Sequence, residues 1–514
     1  MTSKTIDSTQ DNKRIAKNTL MLYARMLFTM GVSLFTSREI LQVLGIEDYG
    51  IYNVVGGIVT MFTFLNGGMI AATQRYLTFE IGRKNKVQLS KVFSTSIQIH
   101  ALIALAVILL SETIGLWFLY EKMVIPSTRL YAAFWVFQCS VIACVVSIIS
   151  VPYNAAIVAH EKMSAFAYIS IIEVSLKLLV VYLLYISDWD KLIAYAILLL
   201  LVQLIIRYIY VHYCKKHFSE SKYRHEINKP LLKEMSSFAG WGFCGSLAHI
   251  LYTQGLNMML NIFFGPVINA ARGIAIQVQN AVQGFVGNFQ MALNPQITKN
   301  YAMGNLCQMH SLMFRSARFS FFLLYFLTLP IFLEADYILA LWLKTPPDNA
   351  AVFTRWILAI SLIYAISNPC IIANQATGKV KVYQLTVGGI LLLILPISYI
   401  ILSLGAPAYS VFIVHFFIEC IAQITRMYLL RKLINLPIRA YIKNLYLPIL
   451  TVTITSSLIP LYVQGLLPNG FLRLIVVGLI SIISVGLIVF LIGLTKNERG
   501  FICKKIKTTI NKFL

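Results

Sequence analysis

A succession of apolar stretches, each long enough to cross a bilayer and separated by loops that alternate in charge, constrains this chain more than any other feature. Crossing roughly 30 Å of hydrocarbon takes about 20 apolar residues. About fourteen stretches meet that length: 18–40, 50–72, 92–118, 129–150, 163–186, 191–213, 237–263, 272–296, 312–333, 351–373, 381–403, 408–429, 444–463 and 472–494. Of the 43 Lys and Arg, 32 fall in loops on the side of the N-terminus, 8 on the opposite side and 3 inside spans. Basic loops resist translocation, so this division places both termini in the cytoplasm.

Composition agrees. A chain of 514 residues that is 58% hydrophobic and only 12% charged has too little polar surface to cover a soluble core. The net charge of +23 would suggest a nucleic-acid partner in a soluble protein. Here the charge is one-sided and therefore topological. It excludes a nucleic-acid role and points to anionic membrane lipids as neighbours. The first fifteen residues are polar and no small-residue cleavage site follows the first apolar run, so an uncleaved first span is expected. The cysteines (Cys139, Cys144, Cys214, Cys244, Cys307, Cys370, Cys420 and Cys503) fall in no CxxC or Cys/His spacing, and neither disulfide nor metal is expected.

The longest polar connection is 214–236. It divides the chain into a six-helix bundle at 1–213, a basic cytoplasmic linker at 214–236, a second six-helix bundle at 237–430, and two further helices with a basic tail at 431–514. After an even number of spans the second half starts from the same side, so an internal repeat would be parallel. Gly45 and Gly82 in the first half have counterparts in Gly265 and Gly304 in the second. Pro330, Pro396 and Pro448, Gly56-Gly57, Gly67-Gly68 and the glycines at 240, 242, 245 and 255 interrupt spans. Such positions allow close helix approach, or bending.

Charged groups inside a bilayer cost on the order of 2.5–3.5 kcal/mol, so they normally face a cavity or a partner. Arg25 lies about two turns inside the first span. It either snorkels to the interface or holds an anion such as phosphate, for which its planar fork is suited. Glu173 and Lys177, four apart, share a helical face and either neutralise each other or face a cavity. The eighth span opens with Arg272 and continues with Gln277, Gln279, Asn280, Gln283, Asn288 and Gln290, amides that do not fall on one stripe. That helix is polar on more than one side and is expected to border a wet cavity. His249, Gln254 and Asn257 add polar groups in the seventh span; His249 and Asn257 are candidates for lining the substrate cavity, although a lone His inside a span is more often a packed, hydrogen-bonded group. His415 and Glu419, again four apart, and Glu173 are candidates for coupling to a Na+ or H+ gradient. Arg38, Arg75 and Arg207 lie near span ends and read as interfacial.

The run Arg14-Ile15-Ala16-Lys17-Asn18-Thr19-Leu20, continuing through Tyr23-Ala24-Arg25 to Leu44-Gly45-Ile46-Glu47-Asp48-Tyr49-Gly50-Ile51-Tyr52, resembles the opening of Wzx-type polysaccharide biosynthesis flippases. These belong to the multidrug/oligosaccharidyl-lipid/polysaccharide (MOP) exporter superfamily, with the MATE transporters and the lipid II flippase. The resemblance implies an all-α membrane protein, with two six-helix bundles around a central cavity plus two C-terminal helices. It implies a cargo of lipid-linked oligosaccharide, usually on undecaprenyl pyrophosphate, translocated by alternating access for O-antigen and lipopolysaccharide, capsule or exopolysaccharide synthesis. It also implies a bacterial inner-membrane location and polysaccharide-assembly proteins as partners. Arginines of the first and eighth helices line the cavity in the lipid II flippase, and Arg25 and Arg272 match them by helix. No cofactor is expected.

A MATE-like exporter of cationic drugs is the alternative, and it would favour cavity carboxylates over arginines. The acids placed inside spans are few: Glu112, Glu173 and Glu419. A membrane enzyme is the third class. Its only sequence support is Asp188-Trp189-Asp190, which resembles a metal-binding DxD, together with Glu47-Asp48. Both acidic pairs read as solvated turns.

Overall fold

The computed structural model describes residues 2–61, 64–121, 125–222, 228–264, 266–343 and 346–500, and among them every element is helical. In the first half these are α1 (Thr2–Met61), α2 (Phe64–Arg83), α3 (Lys86–Leu110), α4 (Leu116–Glu121), α5 (Leu130–Ala159), α6 (Met163–Ile186) and α7 (Lys191–His217). Then follow α8 (Lys229–Phe264), α9 (Pro266–Ala302), α10 (Leu306–Leu333), α11 (Ala335–Leu343), α12 (Ala350–Thr377), α13 (Val380–Leu392), α14 (Ile394–Ser403) and α15 (Ser410–Ile434). The last are α16 (Ile438–Tyr441), α17 (Leu447–Leu466) and α18 (Phe471–Ile488). Among the described residues, ten helices or joined helix pairs are long and apolar enough to cross a membrane. They coincide with the third to sixth and ninth to fourteenth expected spans. The other four expected spans fall in α1, α2, α8 and α9.

Three departures of the helix boundaries from the hydropathy reading bear on the layout. The first outer loop is absent as a loop: α1 runs through it and breaks only at Gly45, where φ is +78° and a side chain would be strained. The expected second span, 50–72, is divided between the end of α1 and the start of α2. At 214–236 the helices reach further than apolarity alone suggests, since α7 extends to His217 and α8 starts at Lys229. Basic residues tolerate helix well, so charge ends an apolar run without ending the helix.

By contact the chain divides into two compact units. One comprises Met1–Leu247 with Asn294–Asn305, the other Ala248–Leu293 with Leu306–Leu514. In the first, Ile51, Val55 and Val59 of α1 pack with Leu119, Val136, Phe137, Leu192 and Ala196 from α4, α5 and α7. In the second, Leu256 and Leu260 of α8 and Ala271 and Ala275 of α9 pack with Phe353, Ile357, Phe412 and Ile418 of α12 and α15. The Phe353 and Phe412 rings lie 4.7 Å apart. Lipid tails are as apolar as leucine, so these cores gain from close packing more than from leaving the solvent. Small residues make that packing possible. A Cβ at Gly82 of α2 would lie 2.9 Å from Ala302 Cβ and 3.0 Å from the Lys299 carbonyl oxygen, both in the last turns of α9.

Arg75 packs against protein. It is buried, with its guanidinium carbon 4.4 Å from the Tyr76 ring centroid, 4.9 Å from that of Phe79 and 5.6 Å from that of Phe238. Aromatic faces attract a cation and supply what solvent would otherwise provide. The Arg38 side chain lies outside the described residues, whereas Arg207 is half-buried and donates to the Val146 carbonyl at 3.4 Å.

Candidate functional site

In the first unit the structure gathers groups that are separate in sequence. Arg25 of α1 lies with its guanidinium carbon 4.9 Å from the Phe166 ring centroid of α6. It is within Coulombic reach of Glu173 on α6 and Tyr210 on α7. Glu173 accepts a hydrogen bond from Lys177 at 2.6 Å. Tyr210 meets the Ser170 hydroxyl, which in turn donates to the Phe166 carbonyl at 2.9 Å. Two cations and one acid give this cluster a formal charge of +1. The Lys177 side chain is 38% exposed and that of Glu173 26%, so neither is sealed inside the unit. Exposed i, i+4 pairs contribute only tenths of a kcal/mol, so this one sets local charge rather than stability.

In the second unit α9 divides its polar residues between two faces. Gln279 donates to the Ser361 hydroxyl at 2.8 Å, and Gln290 to Ser320 at 3.0 Å and the Ala365 carbonyl at 3.1 Å. Asn288 donates to the carbonyl of Gly284 on its own helix at 2.8 Å. Gln277 and Asn280 are exposed instead, and Gln283 is half-buried. Gly273 and Gly287 are exposed on the same side, and a Cβ at either would meet no atom within 4 Å. This face presents amides and bare backbone to open space. Arg272 is on the packed side, buried, with Nη2 donating to the Thr253 carbonyl at 2.9 Å. Its Nε is buried without a partner, and no carboxylate pairs with it among the described residues.

Near Arg272, His249 shares a 2.7 Å hydrogen bond between its Nδ1 and the Tyr252 hydroxyl. The Tyr252 ring also takes the edge of His415, with centroids 5.3 Å apart. His249 and Gln254 are exposed, and Asn257 is half-buried. His415 and Glu419 do not form a pair. Glu419 is buried and accepts from Arg426 Nη1 at 2.6 Å. Arg426 Nη1 also donates to the Ser367 hydroxyl at 2.9 Å, and its Nε to the Tyr383 hydroxyl at 3.1 Å. Ser367 donates to Gln423 at 2.8 Å, and Gln423 donates to the Tyr441 hydroxyl at 3.4 Å. The sequence reading missed Arg426. Its signal is spacing: at 100° per residue, seven residues fall about 20° short of two turns, so Glu419 and Arg426 share a face.

Several acids near helix ends are structural. Arg129, preceding α5, forms ion pairs with both Asp48 and Asp190, the latter at 2.5 Å. Asp190 also caps α7, accepting from the Leu192 and Ile193 amides at 3.0 and 3.1 Å. Neither residue is thus a simple solvated turn. Glu161, between α5 and α6, is buried and pairs with Lys299 and with Gln296, the latter at 2.5 Å. Glu220, in the turn after α7, pairs with His160 at 2.5 Å, and the His160 ring stacks on Phe218 at 4.2 Å. Burial pushes the Glu220 carboxyl up, but the hydrogen bond from His160 and the local backbone outweigh it, and its pKa lies below the ordinary value.

Comparison with known proteins places this arrangement. A family model described as polysaccharide biosynthesis protein matches residues 15–301, more than half the chain. No curated protein matches the sequence. Among solved structures, a MATE transporter in the bent conformation is similar with a TM-score of 0.72 at 12% identity, over 84% of this chain and 97% of that one. An outward-facing multidrug resistance MATE family transporter of the MOP superfamily matches with a TM-score of 0.68 at 14% identity, over 82% and 96%. The MATE transporter ClbM in complex with Rb+ matches with a TM-score of 0.66 at 13% identity, over 83% and 97%. At these identities the likeness is one of fold.

Proposed function

The chain belongs to the polysaccharide biosynthesis protein family and has the fold of the MATE transporters of the MOP superfamily, and from that premise we propose that it is a flippase for a lipid-linked oligosaccharide. The headgroup of such a cargo is a sugar chain on an anionic phosphate or pyrophosphate. It asks for amides to meet hydroxyls and for cations to meet phosphate oxygens. Each unit, taken by itself, holds one of these chemistries. The exposed face of α9 offers Gln277 and Asn280, and the cluster around Arg25 and Lys177 carries positive charge at an accessible place.

The observation that carries this reading is the exposed face of α9. An amide facing hydrocarbon without a partner costs several kcal/mol, and a helix that presents two of them beside glycines opening onto space is suited to a wetted, sugar-lined path. Arg272, buried on the other face, acts on the cargo through charge rather than direct contact. No bond in the cargo is broken; transport proceeds by alternating access in the cytoplasmic membrane, with both termini cytoplasmic.

The acids speak against cationic drugs as cargo. Glu173 is held by Lys177, Glu419 by Arg426, and Glu112 accepts from Gln138 at 3.2 Å. A drug cation would have to displace a donor from each. Deleting the gene tests the reading. The flippase account expects lipid-linked saccharide to accumulate on the cytoplasmic leaflet, with drug susceptibility unchanged. Hypersensitivity to cationic drugs with normal saccharide export would favour the exporter.

A further inference from the structure

The partner of Glu419 has a consequence for how transport is energised. Glu419 begins about 14 Å into α15, counting nine residues at 1.5 Å each, and is 3% exposed. A carboxylate at such a place must be protonated, bind a cation or be paired. It is paired with a group from the same helix. Arg426 lies seven residues further on, and its long side chain runs back along the helix toward the N-terminus, the direction in which helical side chains lean. Ala422 lies on the helix between the two, is fully buried and is small enough to let that chain pass.

The oxygens around the guanidinium are of the kind that would coordinate a small metal cation. Glu419 Oε1 lies at 2.6 Å, Ser367 Oγ at 2.9 Å and the Tyr383 hydroxyl at 3.1 Å, from α15, α12 and α13. All three accept a hydrogen bond from Arg426. An arginine keeps its charge at every physiological pH and, being tethered, cannot be released to either side of the membrane.

We propose that Arg426 is a built-in cation for Glu419, occupying the position that a dissociable Na+ or H+ would otherwise take, so that this carboxylate does not couple transport to either gradient. Removing the arginine side chain leaves a buried carboxylate in an oxygen-lined space and turns it into a site for a small cation. The other groups facing Glu419 do not replace it. They are Tyr252 of α8, Tyr364 of α12, Tyr383 of α13 and Cys420 of its own helix, while Cys370 meets Arg426. His415 faces Tyr252 instead. The inference concerns energy coupling and is independent of the cargo.

The test is the melting temperature of the purified full-length protein in NaCl against choline chloride. Wild type is expected to melt at the same temperature in both salts. Arg426→Met should melt lower in choline and recover by several degrees in NaCl, because ligand binding to the folded state stabilises it by mass action. Arg426→Lys should be as indifferent to Na+ as wild type, and so should the Glu419→Gln/Arg426→Met double variant. A folded Arg426→Met protein with no response to Na+ would overturn the proposal. So would a Na+ response of wild type that the double variant loses, and that comparison stands even if Arg426→Met alone does not fold.

Discussion

Arg426 Nη1 lies 2.6 Å from the Glu419 carboxylate, two turns away on the same helix, with both side chains almost fully buried. Removing one partner of such a pair leaves the other charged and unsatisfied, which typically costs about 3–5 kcal/mol, whereas replacing both with neutral groups of similar size costs much less. Glu419→Gln or Arg426→Met alone should therefore unfold at markedly lower temperature than wild type. The double variant should recover most of the loss. Additive losses in a thermal-denaturation cycle would mean that the two residues do not act as a pair.

Two glycines with opposite surroundings separate packing from exposure. Gly82→Ala would drive a methyl group into Ala302 and the Lys299 backbone, and overpacking of this kind costs about 1–3 kcal/mol. Gly287→Ala meets nothing within 4 Å and gains helix propensity, so it should leave the melting temperature unchanged or slightly raised. Equal effects in a stability measurement would mean that the α2–α9 contact is looser than described.

The acidic triplet Asp188-Trp189-Asp190 is predicted to be unequal. Asp190 caps α7 and binds Arg129, and losing a helix cap alone costs about 1 kcal/mol. Asp188 is exposed. Asp190→Ala should lower stability measurably and Asp188→Ala should not, with transport supported by both variants. A metal-dependent sugar-transfer activity lost equally in the two would contradict this and revive the enzyme reading.

Glu220 adds a pH dependence. Its pKa is depressed in the folded protein, so its contribution is present at neutral pH and is lost as pH falls through the folded value, below about 4.5. Melting curves of wild type and Glu220→Gln should differ at pH 7 and converge as the solution is acidified through that range. A difference that grows on acidification would reverse the sign and refute the assignment.

Much of the architecture was legible in apolar length and loop charge, because a bilayer forces each crossing to satisfy its own backbone and to be apolar over a fixed distance. Ten of the expected spans are therefore recovered as apolar helices. Less legible was what the polar residues do. Glu173 and Lys177 were readable as a pair from their spacing, but their proximity to Arg25 depends on how α1 packs on α6, which no local pattern encodes. Glu419 looked like a companion of His415 at four residues, yet the longer reach of arginine made the residue at seven its partner. The amides of α9 looked undivided in sequence. Ser361 and Ser320, which claim Gln279 and Gln290, lie on other helices, and only their packing leaves Gln277 and Asn280 exposed.

The most direct measurement is translocation of a defined polyprenyl-pyrophosphate oligosaccharide in liposomes holding the purified protein, scored by its access to an external glycosidase. Wild type should move the probe. The Arg25→Ala/Lys177→Ala variant should be slower by roughly 10²–10⁴-fold, since hydrogen bonds to charged groups contribute about 1.5–3 kcal/mol each. Gln277→Ala/Asn280→Ala should slow it by roughly 30-fold, as neutral hydrogen bonds contribute about 1 kcal/mol each. A wild-type protein that leaves the probe in its original leaflet but moves a cationic dye would contradict the account.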